Sequence, residues 1–512
     1  MSDKQPAIPV LKYATRRTFL KNTAFGGMVA VSGILGSSLS GFGRTAPIHI
    51  NPLKIPPQES GTKTGTTTVY NLSVENSTTE FVNQIRTSTR GINGSYLGPT
   101  LRLKDGENIK INVKNSIGET TTLHWHGLHL PASEDGGPHQ PILNGETRAS
   151  QFQVKQKAAS FWYHSHQLHK TAPHVWQGLA GMIIVDDAES DTLDLPREYG
   201  VDDIPVVLQD RIFANDGQMY YDPSRHDRMM GMVGNIAFAN GTISAFIEAK
   251  TKLIRLRLLN GANASTYNLG FSDNRPFAQI GSDGGLLETP YQTNNITLSP
   301  GERAEIVVDV SGNENFILQS RSSGGSGGMG MGMMRRGMMG GGGSEAFNFL
   351  EIRPSENLKA SSTIPAKLTT IERLAPSSAV NTRRFMLEMT MGPMMMLGFG
   401  NSHTINNQAM KMNRIDAVVA KNSIEIWEIG NTSPIPHPFH IHDVQFQILD
   451  RGGRPPHPGE RGLKDTVLVN PNEMVRVIAK FSEYSDPNIP YMYHCHILEH
   501  EDAGMMGQFT VV

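Results

Sequence analysis

The residues with the most chemistry in them lie near the C-terminus, in His494-Cys495-His496-Ile497-Leu498-Glu499-His500, followed by Met505 and Met506. The flanks Tyr491-Met492-Tyr493 and Gln508-Phe509-Thr510-Val511 read as strand, which puts His494 to His496 at a strand end. On a strand, side chains at i and i+2 share a face and the one between points away. His494 and His496 therefore look to one side and Cys495 to the other. A soft thiolate with imidazoles invites copper or zinc. Two metal centres back to back, joined by a few backbone bonds, suit electron transfer. The competing reading is a core cysteine beside surface histidines.

The rest of the chain supplies partners for both faces. His124-Trp125-His126, His164-Ser165-His166 and His440-Ile441-His442 repeat the i, i+2 device. With His494 and His496 they make four pairs of imidazoles. That is too many for one ion but suits three, with positions left for oxygen. Structural zinc takes a closed set of four ligands, and nothing here divides that way. His437 lies three residues before His440, behind a bend expected from Pro436 and Pro438, and so faces elsewhere. Two histidines, one cysteine and a weak axial methionine are the blue-copper arrangement. His437, Cys495, His500 and Met505 supply it, with Met506 as an alternative axial ligand.

These residues need rigid strands to hold them. The chain has 512 residues, a net charge of −2, 52 Gly and 30 Pro. The balance favours a β-rich fold with many turns and lacks the basic stripe of a nucleic-acid binder. Length alone predicts about three domains. An internal repeat agrees. A strand ending in Asn recurs at Asn115, Asn260 and Asn431, and a turn before an alternating strand recurs at Asn144-Gly145-Glu146, Pro300-Gly301-Glu302 and Pro471-Asn472-Glu473. A period near ~150 residues is domain triplication rather than a solenoid. The first and third copies lead into histidines. The middle copy carries none and reads as structural.

Thr15-Arg16-Arg17-Thr18-Phe19-Leu20-Lys21 and the weakly apolar run after it form a twin-arginine signal, expected over residues 1–45. That implies the twin-arginine translocase as a partner and the periplasm as destination. The expected domains are 46–190, 200–355 and 365–512. Cys495 is the single cysteine, so no intramolecular disulfide forms, and ligation protects the thiol. Residues 324–343 are Gly-rich and hold Met329, Met331, Met333 and Met334. Thioethers select Cu(I), so this segment is expected to act as a capture arm; the alternative is a loop in which Met is incidental.

The motifs His124-Trp125-His126-Gly127, His437-Pro438-Phe439-His440-Ile441-His442 and His494-Cys495-His496-Ile497-Leu498-Glu499-His500-Glu501-Asp502-Ala503-Gly504-Met505, with the twin-arginine signal, resemble the multicopper oxidases. The likeness covers nearly the whole chain after the signal. It is strongest to the periplasmic cuprous oxidases of the CueO type and to three-domain laccases. It implies an all-β fold of three cupredoxin-like Greek-key β-sandwich domains and four copper ions. The type 1 ion would lie at His437, Cys495, His500 and Met505. Type 2 would lie at His124 and His440, and the type 3 pair at His126, His164, His166, His442, His494 and His496. Glu501 and Asp135 match the family's proton-delivering acids, and Cys495 its electron exit. The reaction implied is oxidation of Cu(I), Fe(II) or phenols coupled to reduction of O2 to water, by a monomer, in copper tolerance. Met391 matches a substrate Cu(I) ligand. Departures stand at Met396, Ser433, Ile435 and His129, where the family places other residues, three of them acids. A general laccase acting on organic reductants and a non-catalytic copper-binding protein are the alternatives.

Overall fold

The computed structural model describes residues 49–312, 314–321, 347–360, 363–389 and 403–512. The expected signal 1–45, the Gly/Met segment with Met329, Met331, Met333 and Met334, and Met391 and Met396 lie outside the described residues.

Among those residues, strands form six sheets, and the helices are few and short. The fold is all-β, as composition and alternation imply. Two sheets are drawn from residues 58–186, two from 51–359 and two from 381–511. The strand Asn108–Ser116 shows why. Its Ile109, Ile111 and Val113 are buried while their neighbours are not, the period-2 pattern of a sheet with one face on a core. Each pair of sheets encloses an apolar cluster. Leu72, Val113, Phe161 and Ile183 lie in the first, Leu256, Phe271, Ile306 and Leu350 in the second. Trp427, Phe439, Tyr493 and Phe509 lie in the third. Burying each such side chain is worth about 1.5–3 kcal/mol.

The sequence repeat has a physical counterpart. The side-chain amide of Asn115 donates to the carbonyls of Glu119 and Ile142, and its oxygen accepts from Ile117 N–H. Asn260 does the same with Ser265, Leu298 and Ala262. Asn431 does so with Ile435, Val469 and Ser433. The backbone carbonyls of these asparagines accept from Gly145, Gly301 and Asn472, the turn residues of the other repeated motif. One buried amide thus ties a strand end to a turn three times over. The strands also join stretches: Asn51–Pro52 pairs with Ala245–Phe246 of the middle stretch, and Leu53 enters its core.

Candidate metal centres

Strand parity sets the two faces. In Asp486–Cys495, Cys495 stands opposite Phe439 and His494 opposite His440. Phe439 and Cys495 belong to the third apolar core. His440 and His494 turn the other way. His437 is an odd number of residues from His440 on the same strand, His437–Ile441, and so shares the Cys495 face. The expected proline bend is not what redirects it. Pro438 sits inside the strand opposite Leu468, and ordinary alternation does the work.

On the Cys495 face, three ligand atoms converge. His437 Nδ1 lies 3.3 Å from Cys495 Sγ, His500 Nδ1 lies 3.7 Å from it, and the two Nδ1 atoms are 3.3 Å apart. Their outer nitrogens are held. His437 Nε2 is 2.6 Å from Ser433 Oγ, and His500 Nε2 donates to the Met229 carbonyl at 3.1 Å. His500 reaches the sulfur because a short helix, Leu498–Asp502, follows the strand. The segment then closes on itself, with Met505 N–H donating to His500 O and Cys495 N–H to Met505 O. Met505 and Met506 are both buried. Burial pushes the Cys495 thiol up and His437 down to about 3. An uncharged imidazole pair and a thiol that ionises only with a cation beside it are what a soft metal ion requires.

The other face holds the four pairs. The rings of His124 and His442 stack at 3.9 Å, and those of His126 and His440 at 3.7 Å. His494 Nε2 is 3.2 Å from both His166 Nε2 and His442 Nε2. The nitrogens of His124, His126 and His164 lie within 4.8 Å of one another, as do those of His124, His440 and His442 and those of His166, His442 and His494. His496 completes the wall, 5.1 Å from His126 and 5.4 Å from His164 between ring centres. Residues from opposite ends of the chain therefore interleave in one pocket.

Outer contacts decide which nitrogen faces inward. A carbonyl only accepts, so a ring nitrogen against one carries the proton. Nδ1 of His124, His440, His164 and His494 meets the carbonyls of Asp135, Asp465, Ser165 and Cys495 at 2.8, 2.8, 2.9 and 3.1 Å. His442 Nδ1 meets Asp135 Oδ2 at 2.7 Å. His126 is reversed: its Nε2 meets Asp465 Oδ1 at 3.1 Å. The inward atoms are His124 Nε2, His164 Nε2, His440 Nε2 and His126 Nδ1, all buried without a hydrogen-bond partner, as are both nitrogens of His496. Burial pushes His126, His164, His166, His440, His442, His494 and His496 below the usual imidazole range. Orphaned lone pairs inside a protein are costly, and metal ions satisfy them. The donor set fits copper.

Besides Asp465, two carboxyls border this pocket. Glu501 Oε1 and Oε2 lie 3.3 Å from His166 Nδ1 and 3.4 Å from His494 Nδ1. Burial and neighbouring Asp502 push Glu501 well above the carboxylate range. Asp135 bridges His124 and His442 from the opposite side. The resemblance-derived acids both stand where the histidines are.

Comparison with known proteins agrees with this geometry. Residues 73–190 and 382–512 each match a multicopper oxidase family model. The multicopper oxidase mco of Staphylococcus epidermidis is 35% identical over 86% of this chain and 88% of its own. The chain belongs to the multicopper oxidase family. Members are oxidoreductases that use copper and take O2 as acceptor from a reducing substrate. A laccase structure from Pediococcus acidilactici is 35% identical, covers 92% of this chain and 95% of its own, and superposes with a TM-score of 0.80. The cell division protein FtsP of Photorhabdus laumondii is 34% identical over 84% of the chain and 87% of its own.

Against the multicopper oxidase pattern, the departures have definite places. Ser433 takes the outer nitrogen of His437, and Ile435 is buried in the third core beside it. His129 Nε2 is 2.6 Å from Gln445 Oε1. Sequence reasoning missed Asp465 and Arg303. Arg303 clamps Asp465 with Nη1 and Nη2 at 2.7 and 2.6 Å. The one available signal was position: Arg303 directly follows the repeated turn Pro300-Gly301-Glu302. It missed His403 as well, whose ring stacks on His500 at 4.2 Å.

Proposed function

We propose that this multicopper oxidase removes electrons from a reductant at the His437–Cys495–His500 centre and uses them to reduce O2 to two waters at the histidine pocket. One observation carries the reading. Cys495 belongs to the first centre, while its chain neighbours His494 and His496 line the second. An electron leaving the sulfur reaches the pocket through a few covalent bonds. Copper, when bound, supplies the one-electron steps and the site for O2. In this reading one type 1 ion sits at His437, Cys495, His500 and Met505. A type 2 ion sits at His124 and His440, and a type 3 pair at His126, His164, His166, His442, His494 and His496, four ions in all. Glu501 and Asp135 deliver protons; the reach of Glu501 to His166 and His494, and of Asp135 to His124 and His442, supports that role.

The reductant is Cu(I), with Fe(II) or phenols as further donors, and the setting is copper tolerance in the periplasm after twin-arginine export as a monomer. The three units are 46–190, 200–355 and 365–512, behind a signal of 1–45. The methionines at 329, 331, 333 and 334, with Met391, would carry the soft ion. The test deletes 324–343 and compares O2 uptake with Cu(I) and with a phenol as donor. A loss confined to Cu(I) supports the capture arm. Equal activity with both would overturn the capture arm.

A second reading has its own observation, the likeness to cell division protein FtsP. It makes the fold a division component. A deletion strain complemented with Cys495→Ser separates the two. Rescue of division by that variant would assign a role independent of electron transfer.

A further inference from the structure

We propose that the turn Pro300-Gly301-Glu302-Arg303, in the stretch that carries no histidine pair, is a wall of the histidine pocket and positions three of its imidazoles. This rests on the copper-oxidase reading above. Gly301 works by absence of a side chain. A Cβ there would lie 2.9 Å from the His496 ring, and its backbone has φ +85°. His496 depends on such a wall because neither of its ring nitrogens has a hydrogen-bond partner to orient it. Packing alone sets its angle, between Gly301 and the Trp162 ring at 5.5 Å.

Arg303 works by its fork. It donates two bonds to Asp465, one to Asp283 O at 2.8 Å, one to Ser160 O at 3.0 Å and one to Gly301 O at 3.0 Å. Both Arg303 and Asp465 are fully buried. Asp465 in turn holds His126 through its carboxylate and His440 through its carbonyl. The guanidinium therefore joins all three stretches of chain: Ser160 from the first, Asp283 and Gly301 from the middle, Asp465 from the last. Its planar fork cannot be replaced by an ammonium of equal charge. Partners of ligating histidines that sit one bond further out typically change metal affinity or activity by about 10- to 100-fold when removed.

The triplication supplies the control. Gly145 occupies the same turn in the first repeat, with φ +88°, and nothing lies within 4 Å of a Cβ there. Gly145→Ala and Gly301→Ala thus carry the same backbone strain, and only the second meets an imidazole. Both variants and Arg303→Lys are loaded with copper. Metal content, the electron paramagnetic resonance of the non-blue copper, the blue absorption and melting temperature are then read. Gly301→Ala should lose more thermal stability than Gly145→Ala, since only its Cβ meets a buried ring. Only Gly301→Ala and Arg303→Lys should lose pocket copper or alter its resonance, with the blue absorption retained. Gly301→Ala matching Gly145→Ala in both copper readings, or Arg303→Lys matching the unaltered protein, would overturn the proposal. If the unaltered protein itself binds no pocket copper, the copper-oxidase reading fails instead.

Discussion

Ser433 Oγ lies 2.6 Å from His437 Nε2, on the opposite side of the ring from the Cys495 sulfur. Its hydroxyl donates onward to the Ile435 carbonyl at 3.0 Å. The chain of donors holds the proton on Nε2 and leaves the Nδ1 lone pair for the metal. Ser433→Ala should cost about 1 kcal/mol and broaden the blue absorption. Ser433→Asp puts a carboxylate on that nitrogen, makes the imidazole a stronger donor and favours the oxidised ion. If the charged bond adds ~1.4 kcal/mol to the oxidised state, the one-electron potential falls by roughly 60 mV. A redox titration of the blue band checks it; a rise in potential would contradict the assignment.

Glu501 lies buried between His166 and His494, and burial pushes its carboxyl well above the usual range. Glu501→Gln keeps the shape and removes the titratable carboxyl. Loss of a positioned acid typically costs about 100-fold or more in rate. Anaerobic reduction of the blue centre by the donor should be unchanged while steady O2 uptake drops. Slowing of both steps together would place Glu501 outside proton delivery.

Cys495→Ser tests the covalent path. The hydroxyl does not replace a soft thiolate, so the blue absorption should vanish. The pocket histidines keep their outer contacts to Asp135, Asp465 and Ser165, and pocket copper should remain near its unaltered level. O2 uptake above background in this variant would show that electrons reach the pocket by another way.

Acid should destabilise the protein through histidines outside the ligand set. Burial, with Arg90 adding to it, holds His174 down at about 4, and burial holds His403 at about 4. Between pH 4 and the unfolded value near ~6.5, the unfolded chain binds a proton that the folded chain refuses. Stability is therefore fully present above that value and lost as pH falls through the window. Each unit of depression is worth about 1.4 kcal/mol. His174 sits with Nδ1 2.8 Å from Ser165 Oγ and Nε2 3.5 Å from Glu119 Oε1. His174→Gln should flatten the melting temperature's dependence on pH between pH 6.5 and 4. An unchanged slope would remove His174 from the account.

The chemistry of this protein was legible in one dimension because it is built on strands. Period-2 alternation tells which of His494, Cys495 and His496 share a face before any partner is known. The Asn–turn repeat likewise announced three related stretches, since a buried amide must bond the same way each time. What the sequence could not decide was contact between distant stretches. His124 stacking on His442 and Arg303 clamping Asp465 depend on how separate sheets meet, and no local pattern records that. The same limit applies to Ser433. Its replacement of an expected acid reads as a departure in sequence, and only the 2.6 Å approach to His437 shows that it still holds the ligand. Residue type and spacing named the donors; burial then stripped them of water and disfavoured charge on the imidazoles, and the packing of the three stretches left their lone pairs facing one another.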